Sequence, residues 1–162
     1  MTTTSDPAPA RPDGTGVRIA VDAVGGDHGP SEVIPGSLAY ARSHPDDTVI
    51  LVGDEAVMAQ YLLDRPANVQ TRHASQVIEM HEHPAMALRE KKDASILVAT
   101  ELVKRGEADA VVTAGHTGAG MAAAVLRLGR LRGVDRPGLA IQMVGTERPF
   151  VLLDIGANPD ST

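Results

Sequence analysis

The sequence contains no cysteine and no tryptophan, one phenylalanine and two tyrosines. Without cysteine there is neither a disulfide framework nor a thiol nucleophile, which excludes every acyl-transfer scheme that passes through an enzyme-bound cysteine thioester. Scarce aromatics leave the core to Val, Leu, Ile, Ala and Met, a set suited to helices packed on a buried parallel sheet, and argue against base stacking. Positive charge is also short. Fifteen Lys and Arg against 21 Asp and Glu give a formal charge of −6, so the chain has no general basic face for nucleic acid, and an anionic partner must be met by a local patch. No run of about 18 apolar residues is present to span a membrane, and the opening MTTTSDPAPARPDGTG lacks the apolar centre of a signal peptide. These absences fit a cytoplasmic protein. What is present is 162 residues, 43% of them apolar and 22% charged, enough for one globular domain with a real core.

Residues 1–16 are Thr, Pro, Ala, Asp and Gly with almost nothing to bury, which predicts a disordered leader, with the domain spanning 17–162. VRIAVDAV is then a short apolar run with β-branched residues, closed by the turn GGDHGP. Pro30 and Pro35 are tolerable in or near a first helical turn, and SEVIPGSLAYARS carries apolar residues at near-helical spacing. TVILVG reads as a second buried strand, Asp54 as the cap of a helix over EAVMAQYLL, and NVQTRHA as a third strand. The stretch from Pro84 to Gly106 is helical and divisible in two, with Asp93 as the N-cap of the second helix. ADAVVTAGHTGAGMAAAVLRLGR follows as strand, glycine turn and helix, and GLAIQM and PFVLLDIGAN supply two more strands. Alternating strands and helices joined by short glycine turns predict a doubly wound α/β layer architecture.

Three strands end in glycine-bearing turns, VDAVGGDHGP, VVTAGHTGAG and LLDIGANPD. In an open parallel sheet ligands sit beyond the carboxyl ends of the strands, so these turns can line one crevice. Gly115, Thr117 and Gly118 make a phosphate cradle, because glycine admits a ligand to the backbone and a helix N-terminus offers N–H groups to an anion; the plainer alternative is that these glycines only turn the chain. Gly118-Ala-Gly120-Met-Ala-Ala123 also fits a G-x-G-x-x-A dinucleotide fingerprint, but Asp135 lies in a turn rather than at the end of the following strand, which disfavours a nicotinamide cofactor. Lys91 and Lys92 can reach an anion at the sheet edge or form a solvated basic pair. His81 and His83 would need further ligands to hold a metal, and no metal or other cofactor is expected. Arg127, Arg130, Arg132 and Arg136 cluster toward a helix end, where they complement the dipole or dock an acidic protein.

Taken in order, VDAVGGDHGP, ASQVIEM with PAMALREKKDAS, ADAVVTAGHTGAGMAAAVLRLGR, GVDRPGLA and LLDIGAN resemble the PlsX-type phosphate acyltransferases, from about Val17 to Asp160. The resemblance implies a three-layer αβα fold with a doubly wound, mainly parallel sheet, similar to isopropylmalate dehydrogenase and phosphotransacetylase. It further implies transfer of an acyl group from acylated acyl carrier protein (acyl-ACP) to orthophosphate, giving acyl phosphate and free carrier, in a cytoplasmic homodimer with peripheral association at the inner membrane face. By the same resemblance Asp22, Gly25, Gly26, Asp27 and His28 match the first signature of the family and Lys91, Lys92, Asp93 and Ser95 its lysine-bearing signature. His116 stands where the family usually has Asn, within the turn Gly115 to Gly118. The expected roles are catalysis for Asp27, His28 and Lys92, and substrate or phosphate binding for the others. Family members are longer, so the resemblance is to an N-terminal half. Two other readings stay open: a truncated, non-catalytic module that binds phosphate or the carrier protein, and a nucleotide-dependent dehydrogenase-like domain.

Overall fold

A computed structural model describes residues 16–135, 137–145 and 148–153. They fall into two units that divide between Leu128 and Gly129. In the first, β1 (Arg18–Asp22), β2 (Thr48–Gly53), β3 (Val69–His73) and β4 (Ala110–Thr113) form a sheet in the order β3-β2-β1-β4, and all pairings are parallel. The chain leaves β1 toward β2 and β3 on one side, then returns to β1's other side as β4. Right-handed crossovers in these two directions need helices on opposite faces of the sheet.

The side chains sort in that way. Val21, Val49, Leu51 and Val69 pack with Ile34, Leu38 and Ala41 of α1 (Gly29–Ser43) and Met58 of α2 (Glu55–Ala59). Ala20, Ile50 and Val52 point the other way, onto Ala99 and Leu102 of α4 (Ser95–Lys104). The period of two along each strand thus builds two faces and three layers, as the α/β pattern of the sequence predicts. A third cluster joins Ile96 and Leu97 of α4 to Ala87 and Leu88 of α3 (Pro84–Glu90) and to Ala119 and Ala123 of α5 (Thr117–Arg127). Helix α4 is therefore buried on two sides, which explains why SILVATELV is apolar almost all round. Its buried Thr100 satisfies its hydroxyl on the Ile96 carbonyl at 2.7 Å.

Asp54 caps α2 as expected, accepting from the Ala56 and Val57 amides at 2.8 and 3.2 Å, although this helix stops at Ala59, well short of the run EAVMAQYLL. Pro35 lies inside α1 rather than near its start; it is exposed, so its missing N–H falls on the solvent side. The N-cap of α4 is Ala94, with no side-chain capping bond, in place of the expected Asp93. Asp93 is already engaged by Ser75, whose amide and hydroxyl donate to Asp93 Oδ2 at 2.7 and 2.6 Å. That long-range pairing outcompetes a local cap. At the other end of the sheet, Arg18 holds Asp109 through Nε and Nη2, both at 3.0 Å, and ties the entry of β1 to that of β4.

In the second unit β5 (Ala140–Val144) and β6 (Pro149–Leu153) pair antiparallel around Gln142 and Val151. Helix α5 ends at Arg127, so Arg130 and Arg132 lie beyond it. The expected leader, apart from Gly16, Arg136, and the LLDIGAN turn from Asp154 onward lie outside the described residues.

The two-faced core sets an expectation for stability. Leu51 is fully buried, and Leu51→Ala should lower the unfolding free energy in urea by about 2–5 kcal/mol. Leu63, 92% exposed, should tolerate the same change to within about 0.5 kcal/mol. Equal losses at the two positions would contradict this assignment of the core.

Candidate functional site

Strands β1 and β4 end side by side, with Asp22 and Thr113 opposite one another in register. They flank the point where the strand order reverses, the place where an open α/β sheet presents a crevice. Thr113 Oγ1 donates to Asp22 Oδ2 at 2.8 Å and accepts the Gly115 amide at 2.9 Å. One hydroxyl thereby links the buried carboxylate of β1 to the turn after β4. Asp22 is 3% exposed, and its Oδ1 has no hydrogen-bond partner among the described residues.

The two turns need their glycines because they touch. A Cβ on Gly25 would lie 2.4 Å from Asp22 Oδ2. Gly26 has φ +100°, and a Cβ there would lie 2.7 Å from the Ala114 carbonyl oxygen. Contact this close is denied to any residue with a side chain, and the positive φ at Gly26 separately favours glycine. Past the turn, His116 is the N-cap of α5, and its Nδ1 accepts the Gly118 amide at 3.1 Å. The Thr117 amide, first in the helix, has no intrahelical acceptor by geometry. Gly118 also lets α5 approach α3: a Cβ there would sit 3.1 Å from Pro84 Cγ. The turn glycines therefore shape the packing; the Gly115 and Gly118 amides are taken by Thr113 and His116, and the Thr117 amide is the donor left at the helix N-terminus.

Asp22, Gly25, Gly26, Gly115, His116, Thr117 and Gly118 are thus brought together at one edge of the sheet, with Asp27 and His28 exposed on the same β1 turn. The lysine signature is arranged differently. Lys91 Nζ donates to the Val77 carbonyl at 2.7 Å and pairs with Glu82. Asp93 is held by Ser75, and Ser95 is buried with no partner for its hydroxyl among the described residues. Lys92 lines a cavity with Arg72, Glu101, Arg105 and Arg127, none of which belongs to either glycine turn. Sequence reasoning missed Thr113 and Ser75. A threonine closing β4 opposite the aspartate closing β1 was the available signal for the first; for the second, 18 residues from its partner, there was none. On the α1 face, an apolar groove of about 490 Å³ runs past Ile19, Val33, Tyr40 and Val112 to Thr113 and Ala114.

Two carboxylates near the α3–α4 corner are shifted. The Ser75 hydroxyl and then the Ser75 amide, both donating, hold the Asp93 carboxyl below the usual carboxylate range. Lys91 and then the Glu79 amide do the same for Glu82. Hydrogen bonds that favour the charged form lower a pKa in this way.

Braced glycine turns at a strand-order switch define a doubly wound α/β protein. A family described as fatty acid synthesis protein matches residues 17–162, and the chain belongs to it. It is 52% identical over 147 residues to a phosphate acyltransferase of Desulfitobacterium hafniense, covering 90% of this chain and 44% of the relative. It is 48% identical over 149 residues to a phosphate acyltransferase of Myxococcus xanthus, covering 89% and 42%. A phosphate acyltransferase of Methylococcus capsulatus is 47% identical over 148 residues, with coverage of 89% and 44%. The chain spans less than half the length of these curated relatives and corresponds to their N-terminal part. Among the described residues no helix is long and apolar enough to cross a membrane.

Two expected outcomes follow from this geometry. Thr113→Val removes the hydroxyl but keeps the shape, stranding Asp22 Oδ2 and the Gly115 amide; it should cost about 1–3 kcal/mol in urea unfolding, whereas Thr113→Ser should cost less. Because Asp93 has a depressed folded-state pKa, its contribution is complete above the unfolded value of about 4 and is lost as pH falls through the lower folded value. The stability gap between the natural chain and Asp93→Asn should therefore be constant near neutrality and close below about pH 4. A gap that persists unchanged into strong acid would contradict the Ser75–Asp93 assignment.

Proposed function

We propose that the chain supplies the phosphate-holding part of an acyltransferase that moves an acyl group from a carrier-protein thioester to orthophosphate, as a step of fatty acid and phospholipid synthesis. The reading is carried by the braced crevice between β1 and β4 in a chain about half identical to proteins named phosphate acyltransferase. A phosphate oxygen attacks the thioester carbonyl, the tetrahedral intermediate collapses, and the carrier thiolate leaves as the acyl–phosphate bond remains. Orthophosphate is already anionic and a thiolate is a good leaving group, so the chemistry needs positioning and charge stabilisation more than a strong acid or base.

The amides of Thr117 and Gly118 at the start of α5 hold the phosphate, with the helix dipole favouring its charge. Amides of the Gly25–Gly26 turn face the developing oxyanion, and Asp27 or His28, exposed beside them, orients the nucleophile. Buried Asp22 acts through Thr113, fixing the distance between the two turns. The same reading makes the whole protein a cytoplasmic homodimer that meets the inner membrane face peripherally. It also makes acylated carrier protein and orthophosphate its two substrates.

Release of carrier-protein thiol from acyl-ACP tests the proposal. The chain joined to the remaining length found in its relatives should release thiol only when orthophosphate is present, and His28→Ala should lower turnover while phosphate binding is retained. A short chain that binds phosphate but gains no activity on completion would support a non-catalytic binding module instead. Full activity of His28→Ala would remove that residue from the mechanism.

A further inference from the structure

Beside α4 lies a second polar cavity of about 280 Å³. Four cationic residues line it from four places in the fold: Arg72 of β3, Lys92 of the α3–α4 turn, Arg105 at the C-cap of α4 and Arg127 of α5. Among the described lining residues the only carboxylate is Glu101. It is shared, with Oε1 at 3.1 Å from Arg105 Nε and Oε2 at 3.7 Å from Arg127 Nε. Arg72 is held at the rim by Glu107 at 2.7 Å. Lys92 has no ion pair among the described residues, and Arg127 Nε is buried without a hydrogen-bond acceptor, its approach to Glu101 being too long for one. In a chain of net charge −6, four cations lining a cavity with one carboxylate, and Glu107 pairing with Arg72 beside it, is a local reversal of sign.

We propose that this cavity is a second anion site, distinct from the β1/β4 crevice, and that it takes a compact phosphate-type oxyanion. Guanidinium groups pair with such oxyanions through two parallel N–H bonds, and a lysine adds a mobile point charge. Glu101 links Arg105 and Arg127 without neutralising the set. The volume lies just below the range of about 300–1,000 Å³ typical of drug-sized ligands, so it suits a phosphate group rather than a whole nucleotide. Free orthophosphate and a phosphate monoester share this chemistry. The inference does not rest on the acyltransferase reading: it uses no residue of the glycine turns, and it takes Lys92, which the resemblance assigns to catalysis, from its place in this cavity alone.

Amide NMR of the chain, titrated at constant ionic strength with inorganic phosphate and separately with methyl phosphate, tests it. Saturable shifts are expected at Lys92, Val98, Arg105 and Arg127, with affinity reduced on the order of tenfold or more in Arg105→Gln/Arg127→Gln, as loss of charge-assisted bonds brings. Shifts at Gly115 to Gly118 should survive that double change. If the double variant does not fold, the single changes Arg105→Gln and Lys92→Gln, both at exposed side chains, should each weaken binding alone. Binding of methyl phosphate as tight as that of phosphate assigns an ester ligand, and preference for phosphate assigns the free ion. Shifts that never saturate, or that sodium chloride reproduces, would overturn the proposal, as would saturable shifts confined to the glycine turns. Saturation here with none at Gly115 to Gly118 would support this site while removing the phosphate cradle from the acyltransferase reading.

Discussion

A single threonine hydroxyl fixes the geometry on which the candidate site depends. Thr113 stands between a buried carboxylate and a backbone amide, accepting from Gly115 and donating to Asp22. It can do so because parallel pairing sets the last residue of β4 opposite the last residue of β1. The glycines are the steric counterpart of that bond. With Asp22 drawn toward β4, the space above it admits only a residue without a Cβ at Gly25, and the adjoining turn leaves none at Gly26. Sheet register, hydrogen bond and glycine placement are therefore one constraint seen at three levels, and the α5 N-terminus inherits its position from it.

Much of this architecture was legible because it rests on local signals. Apolar runs closed by glycine marked β1, β2 and β4, Asp54 announced the start of α2, and Pro84 that of α3. The meeting of the β1 and β4 turns followed from strand ends in a parallel sheet, while the third expected turn, LLDIGANPD, lies outside the described residues from Asp154 onward. What was illegible depended on distant partners. Asp93 looked like a cap because caps are local, yet Ser75 claims it from 18 residues away. Lys91 and Lys92, adjacent in sequence and read as a pair, part company: one is tied to Glu82 and the Val77 carbonyl, the other turns to the α4 cavity. In helix α2 the apolar residues continue beyond the helical backbone, so composition overstated its length.

Charge is distributed against the average. The sequence is acidic overall, but cations from β3, the α3–α4 turn, the α4 C-cap and α5 converge beside one helix that is itself apolar on two sides. Helix α4 thus does two jobs with separate faces: it packs on one face of the sheet and against α3 and α5, and it carries Glu101, with Arg105 at its C-cap, toward the cavity. A composition-level charge excludes a broad basic surface, yet says nothing about such a cluster, since its members are spread from residue 72 to residue 127.

The ring of His116 changes how ligand binding at α5 is to be counted. Its Nδ1 already accepts the Gly118 amide, which requires the ring proton to sit on Nε2. An oxyanion seeking that amide therefore meets an occupied donor, and its arrival is an exchange of one acceptor for another rather than the filling of an empty place. The net gain is only the difference between a charged and a neutral acceptor, and the displaced imidazole must find a new rotamer. On the proposed reading, selectivity at this helix end would be set by competition with the protein's own side chain: an acceptor no stronger than imidazole would gain nothing there, while a doubly charged one would.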